Sequence, residues 1–297
     1  MTKWRWLAIV VGTALVLAAC GESDNSGGDE TQNLVTGEYT LSPGQETYIC
    51  YTFRSPADRT MAVSQIVSTS GLAVHHLALF QTAPEEIDGS FECPTLAKLN
   101  WQPIWAGGTG SPSLALPEGV AFKILPNTQY LVQLHLQNAT DTTITDHSEV
   151  ELTYLPQDEA DTAEAAGIYA VGTFDINIPA NTTGHSVTTD CVADRELNVF
   201  AVFPHMHKIG RKIEFFHGVD QVGTEPVYKL DPWPFDDQPM DTVAWTIQPG
   251  DHLRAICTWD NPFNEPVNFG ESSDDEMCFF VMFYYPFNGL GGCIDGM

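Results

Sequence analysis

Two short segments of this chain carry residue types suited to a soft metal. Phe203-Pro204-His205-Met206-His207 sets two imidazoles two residues apart, and Asp274-Asp275-Glu276-Met277-Cys278 adds a thioether. In extended backbone, positions i and i+2 share a face, so His205 and His207 can reach one ion while Met206 points the other way. Thioether sulfur selects copper, above all Cu(I). A second set, His75-His76 with His135, lies wholly in the N-terminal half and offers nitrogen alone. Two chemically different copper sets on one chain fit an oxidase-type enzyme better than a store. Core packing is the competing explanation. Met277 borders an aromatic run and could be core filler, and His75 could pack among Leu72, Val74 and Leu77 with His76 in solvent. Adjacent histidines face opposite sides of a regular strand, so joint ligation by His75 and His76 requires a bend, bulge or strand end. His147, His185, His217 and His252 sit singly in polar or turn-like surroundings and suit the surface.

The elements that must position these groups read as strands. From about Leu34 onward, short apolar or alternating runs recur between turn signals such as Ser42-Pro43-Gly44, Pro117-Glu118-Gly119, Pro126-Asn127 and Pro249-Gly250-Asp251. The fold class is all-β. In Tyr130–Gln137, Tyr130, Val132, Leu134 and Leu136 alternate with Leu131, Gln133, His135 and Gln137, so His135 faces away from the apolar side. The acidic, Ala-rich run 156–164 breaks this rhythm and divides the chain into two parts of ordinary domain size, 34–156 and 165–297. Two tandem β-sandwiches would put any cleft between them beside the metal-binding sets.

The first residues carry Lys3 and Arg5, then an apolar run too short to span a bilayer as an anchor, so residues 1–19 read as an export signal. Its end, Leu17-Ala18-Ala19-Cys20, looks like a bacterial lipobox, which makes Cys20 a lipidation point and the membrane a partner through that anchor alone. Gly21 is not the aspartate that retains a lipoprotein at the inner membrane, so the expected location is the cell envelope at the outer membrane. Residues 20–33 form a polar tether. Six cysteines remain, and an even number in an exported chain implies disulfides. Only Cys50 and Cys93 precede the proposed boundary, so within-domain pairing joins them. The formal net charge of −27 excludes nucleic acid as a partner and fits general solubility. Neither a GxGxxG nor a Walker loop is present, so nucleotide and phosphate sites have no support.

Over roughly residues 36 to 297 the chain resembles the copper type II, ascorbate-dependent monooxygenases. The markers occur in family order: Glu46-Thr47-Tyr48-Ile49-Cys50, His75-His76, Leu116-Pro117-Glu118-Gly119-Val120 and Gln133-Leu134-His135. The second half supplies His205-Met206-His207, Gly250-Asp251-His252-Leu253 with Cys257, Glu276-Met277-Cys278 and Tyr284-Tyr285-Pro286. The resemblance implies two jelly-roll-like antiparallel sandwiches with one copper in each, facing each other across a solvent cleft. It assigns His75, His76 and His135 to an electron-transfer copper and His205, His207 and Met277 to the copper that meets O2. It also gives Tyr48 and Gln133 the task of orienting the first set, and pairs Cys191 with Cys293 and Cys257 with Cys278.

The chain departs from the family where substrate is gripped. The peptide-amidating members carry an arginine two residues before the His-x-His and polar residues two and four beyond the methionine, forming a carboxylate clamp. Here those positions are Phe203, Phe279 and Val281. The expected substrate is therefore a small apolar or aromatic molecule, hydroxylated with O2, two copper ions and electrons from ascorbate or another one-electron donor. The usual threonine between the histidines is replaced by Met206. The alternative is a surface copper-sequestering lipoprotein without catalysis.

Overall fold

The structure is a computed structural model and describes residues 30–93, 98, 100–108, 113–219, 223–289 and 291–296. The export signal, Cys20 and residues 21–29 of the tether lie outside the described residues. The fold is nearly all β, with Gln157–Thr162 the one α-helix among the described residues. That helix falls in the run that interrupts the strand rhythm. Residues 30–33 are not tether: the strand Glu30–Val35 pairs along its length with Glu149–Tyr154, and Gln32 accepts a hydrogen bond from Tyr154 Oη at 2.6 Å. Glu30, Thr31 and Asn33 are exposed at a sheet edge, which is why composition alone reads as loop.

In the first half, Glu30–Val35, Glu149–Tyr154, Met61–Thr69, Val120–Ile124 and Glu164–Ala165 follow one another across one sheet, with Ser113–Ala115 beside Met61–Thr69. A second sheet runs Ser90–Glu92, Glu46–Arg54, Gln129–Gln137, Val74–Thr82, Trp101–Gly108. Leu34, Val63, Ile66 and Leu152 of the first sheet share one buried apolar cluster with Leu77, Leu79, Val132 and Leu134 of the second. In the second half, Asp241–Ile247, Leu197–His205, Cys278–Tyr285, Gly167–Thr173 and Gly291–Asp295 form a five-stranded sheet. A four-stranded sheet there runs Thr182–Val192, His252–Asn261, Gly210–Gly218, Tyr228–Leu230. The strand His252–Asn261 alternates buried and half-buried residues without a break, the period-two signature of a one-sided apolar face.

Two pairings depart from the purely antiparallel expectation. Glu164–Ala165 lies parallel to Val120–Ile124, and Gly291–Asp295 parallel to Gly167–Thr173. Both are short strands at sheet edges, where a returning segment can add in either direction. The first ties the start of the second half into the first half's sheet. Phe200, Ala201, Phe203 and Phe283 of the second half also bury into the first half's apolar cluster. The halves are thus joined by a shared core. Disulfides connect Cys50 to Cys93, Cys191 to Cys293 and Cys257 to Cys278.

Candidate metal centre

The first imidazole set is assembled by a break in strand register. Along the pairing of Val74–Thr82 with Gln129–Gln137, His135 sits opposite His76 and Leu136 opposite Val74, so His75 is an extra, unpaired residue. Such a bulge turns adjacent side chains toward one side, which a regular strand forbids. His75, His76 and His135 converge as a result, with a potential ligand atom from each lying within 4.8 Å of the others. His76 Nδ1 stands 3.4 Å from His75 Nδ1 and 3.3 Å from His135 Nδ1. Imidazole nitrogens about 2 Å from one first-row metal lie roughly 3.3 Å from each other in a tetrahedral shell. Both separations from His76 are therefore those expected between ligands of one ion. His76 is buried rather than solvent-facing, and His135 is fully buried.

Neighbours fix how His135 is presented. Its Nε2–H donates to Glu46 Oε1 at 2.7 Å, leaving Nδ1 with the free lone pair. Tyr48, directly across the strand pair, stacks flat on the His135 ring at 4.3 Å and 2°. Gln133, two residues along the same strand face, is fully buried and donates from Nε2 to Cys93 Sγ at 3.8 Å.

The second set stands at the end of Leu197–His205. His205 and His207 are both buried with ring centroids 5.2 Å apart, and Met206 is buried in the second half's apolar cluster. His205 Nδ1 donates to Gln238 Oε1 at 2.8 Å and His207 Nδ1 donates to the Asp275 carbonyl at 3.1 Å. Both Nε2 atoms are thereby left as lone-pair donors, and both are buried with no hydrogen-bond partner. Two such orphaned nitrogens cost free energy unless something accepts their lone pairs. Met277 is fully buried and follows Asp275 and Glu276, which both bind His207. Joined by the Met277 thioether, two neutral imidazoles would make a donor set suited to copper.

The two sets adjoin one another. The rings of His76 and His205 lie 5.6 Å apart, so the solvent cleft expected between the sets is closed at this point. The shared core around Phe200, Phe203 and Phe283 draws the halves together. A loop from the second half completes the closure. Its Phe235 packs on His75 at 4.5 Å while Gln238 of the same loop holds His205. Beside His76 and His205 opens an apolar pocket of about 240 Å³, lined also by Phe174, Phe203, Phe279, Val281 and Ile294. Phe203, Phe279 and Val281 thus share one wall system. Gly172 backs it, since a Cβ there would collide with the Phe279 ring and the Cys278 carbonyl.

Phe174, Ile294, Phe235, Gln238 and Glu46 were not singled out as site residues by their sequence. Glu46 lay within a recognised marker, but its partners His135 and Ser273 are 89 and 227 residues away. Gln238 sits in a Pro-rich loop with no periodicity to orient it. His147, His185, His217 and His252 are exposed or half-buried.

Comparison with known proteins bears on the same half that supplies the thioether. Residues 164–297 match the model described as copper type II ascorbate-dependent monooxygenase, C-terminal domain. The second half of the chain is thus similar to that family's C-terminal domain. Among its relatives, peptidylglycine alpha-amidating monooxygenase of Rattus norvegicus is 25% identical over 260 residues, covering 81% of this chain and 25% of the relative. DBH-like monooxygenase protein 1 of Gallus gallus is 27% identical, covering 83% and 45%. Dopamine beta-hydroxylase of Canis lupus familiaris is 25% identical, covering 85% and 45%. The chain therefore spans a quarter to just under half of the length of these family members.

Burial keeps His75, His76, His205 and His207 neutral and ready to bind. Desolvation holds His75 and His205 down to about 4, and pushes His76 and His207 well below the ordinary histidine range. The His135 hydrogen bond holds the Glu46 carboxyl at about 2. Each of these groups binds fewer protons folded than unfolded, so each destabilises the fold as pH drops below its unfolded value. Glu276 opposes them: burial raises it to about 7, so its folded form keeps a proton that the unfolded chain releases. Four histidines outweigh one carboxyl. The thermal midpoint of the metal-free protein should therefore fall as pH is lowered from about 6.5 toward 4. A flat or rising midpoint by calorimetry over that window would contradict the assignment of these rings as buried and neutral.

Proposed function

We propose that this protein is a copper-dependent monooxygenase that hydroxylates a C–H bond of a small apolar or aromatic substrate. One atom of O2 enters the product and the other leaves as water, with two electrons from ascorbate or another one-electron reductant and two protons. The observation that carries this reading is the apolar pocket walled by His76 of one imidazole set and His205 of the other. A sequestering protein has no use for such a pocket, so the arrangement supports catalysis over storage.

Two copper ions, one held by His75, His76 and His135 and one by His205, His207 and Met277, would supply the one-electron redox chemistry and the reduced centre that O2 requires. The chain's own part is orientation and exclusion of water. Glu46 and Tyr48 hold His135, Gln238 and Asp275 hold His205 and His207, and Phe235 shields His75. Phe174, Phe203, Phe279 and Val281 would seat the substrate by apolar contact. The two largest buried clusters, one centred in each half though shared at their junction, support the reading of two tandem jelly-roll-like sandwich domains. The export signal and Cys20 support a lipid-anchored protein of the bacterial cell envelope.

A dry cavity of about 150 Å³ holds benzene, so a pocket of about 240 Å³ suits one ring bearing a short alkyl chain. Ethylbenzene is the probe. With copper, ascorbate and ¹⁸O₂, it should yield 1-phenylethanol carrying one labelled oxygen, whereas N-benzoylglycine, which carries a carboxylate, should not react. Preferential turnover of the carboxylate probe would overturn the apolar assignment.

A further inference from the structure

The turn that leads into Met277 is fastened to the first half of the protein by residues outside both ligand sets. Ser273 donates from its backbone N–H and from its hydroxyl to Glu46 Oε1, at 3.0 and 3.1 Å. Gln137 Nε2 donates to Ser273 Oγ at 3.0 Å, and Tyr48 Oη donates to the Glu271 carbonyl at 2.5 Å. The Glu46 oxygen that grips Ser273 is the one that accepts the Nε2–H of His135. Glu46 and Tyr48 stand opposite Gln137 and His135 across one strand pair, so the four side chains present a single docking face. Ser273 is buried against it.

Beyond Ser273 the turn is stiff. Asp275 N–H donates to the Ser272 carbonyl at 2.9 Å, Asp274 N–H to Ser272 Oγ at 3.2 Å, and Gly270 N–H to the Glu276 carbonyl at 3.3 Å. Asp275 and Glu276 then hold His207. A displacement at Ser273 would pass to Asp275 and Met277 instead of being absorbed by the loop.

We infer that Glu46 and Ser273 form a positioning latch: one carboxylate oxygen orients a ligand of the first set and, through the turn, sets the second set against it. Neither residue would touch metal or substrate. This inference rests on the copper assignment proposed above. The latch makes the two sites interdependent, so loss of a contact on one half is felt by the metal held on the other.

The test uses the purified full chain, copper as the probe, and the variants Ser273→Ala and Glu46→Ala. Cu(I) affinity is measured by chelator competition, with the second site identified by its Cu–S component in X-ray absorption. Dipolar broadening between the two Cu(II) ions reports their separation. Loss of an outer-shell partner costs about 10–100-fold in metal affinity. Ser273→Ala should weaken the sulfur-containing site by roughly that factor and reduce the broadening, while the three-histidine site changes less. Glu46→Ala should weaken both, and if it fails to fold, Ser273→Ala alone decides. A Ser273→Ala protein with a lowered thermal midpoint but wild-type affinity and broadening would show a merely structural contact and overturn the latch. A wild-type chain that binds fewer than two coppers would instead remove the copper assignment, and the latch with it.

Discussion

Met277→Ala should abolish the proposed hydroxylation while the three-histidine set continues to hold copper. Met277 is fully buried, so its removal takes away both a soft donor and core volume. A buried Met→Ala change costs about 2–5 kcal/mol, which by itself could impair the protein. Met277→Leu separates the two effects, because a volume-conserving swap usually costs less than about 1.5 kcal/mol. Both variants should lose ¹⁸O incorporation to the assay background and lose the Cu–S component of the reduced protein. Only the alanine variant should lose much stability. Neither residue change reaches His75, His76 or His135, so the nitrogen-only set should retain its copper. Full turnover by Met277→Leu would remove the thioether from the mechanism.

Glu276→Ala should be the most destabilising single substitution near the site. Its carboxyl group is fully buried and accepts from His207 N–H at 2.9 Å, Ile209 N–H at 2.9 Å and Trp259 Nε1–H at 2.8 Å. Alanine would leave all three donors buried and unpaired. An unsatisfied buried donor costs about 1–3 kcal/mol, so the sum is several kcal/mol, a large share of the total stability of a domain. Glu276→Gln keeps the shape and one acceptor oxygen but sets its NH2 against the donors of the other, so it should recover only part of that loss. The carboxylate also anchors the chain that sets His207 and Met277, so the alanine variant should weaken the sulfur-containing copper site as well. Denaturant unfolding of the three proteins checks this. Equal midpoints for the alanine variant and wild type would contradict the hydrogen-bond account.

Much of the fold is legible in short-range pattern, because period-two alternation is a local property. Gln129–Gln137 and His252–Asn261 announce themselves this way. Alternation also puts His135 on the face opposite Val132 and Leu134, yet it does not reveal that this second face is buried too. The burial comes from the Glu271–Ser273 turn, more than 130 residues distant, whose contacts no local pattern encodes. The His75 bulge has the same character. Adjacent histidines pose the need for one, but only the pairing partner shows which residue is extruded. Glu30–Val35 is missed for a different reason: an edge strand with exposed polar side chains needs no apolar run. Gln238 and Phe235 act through loop geometry, where sequence offers neither period nor motif. The closure that brings His76 to His205 is a property of how the halves pack around Phe200, Phe203 and Phe283, which no local pattern encodes.

Two unlike ligand sets should each hold one copper, which is read by elemental analysis of copper per chain on the full protein, loaded with excess metal and then desalted. Two equivalents per chain is the predicted result, falling to one when His75, His76 and His135 are replaced together. One equivalent or none in the unaltered chain would contradict it.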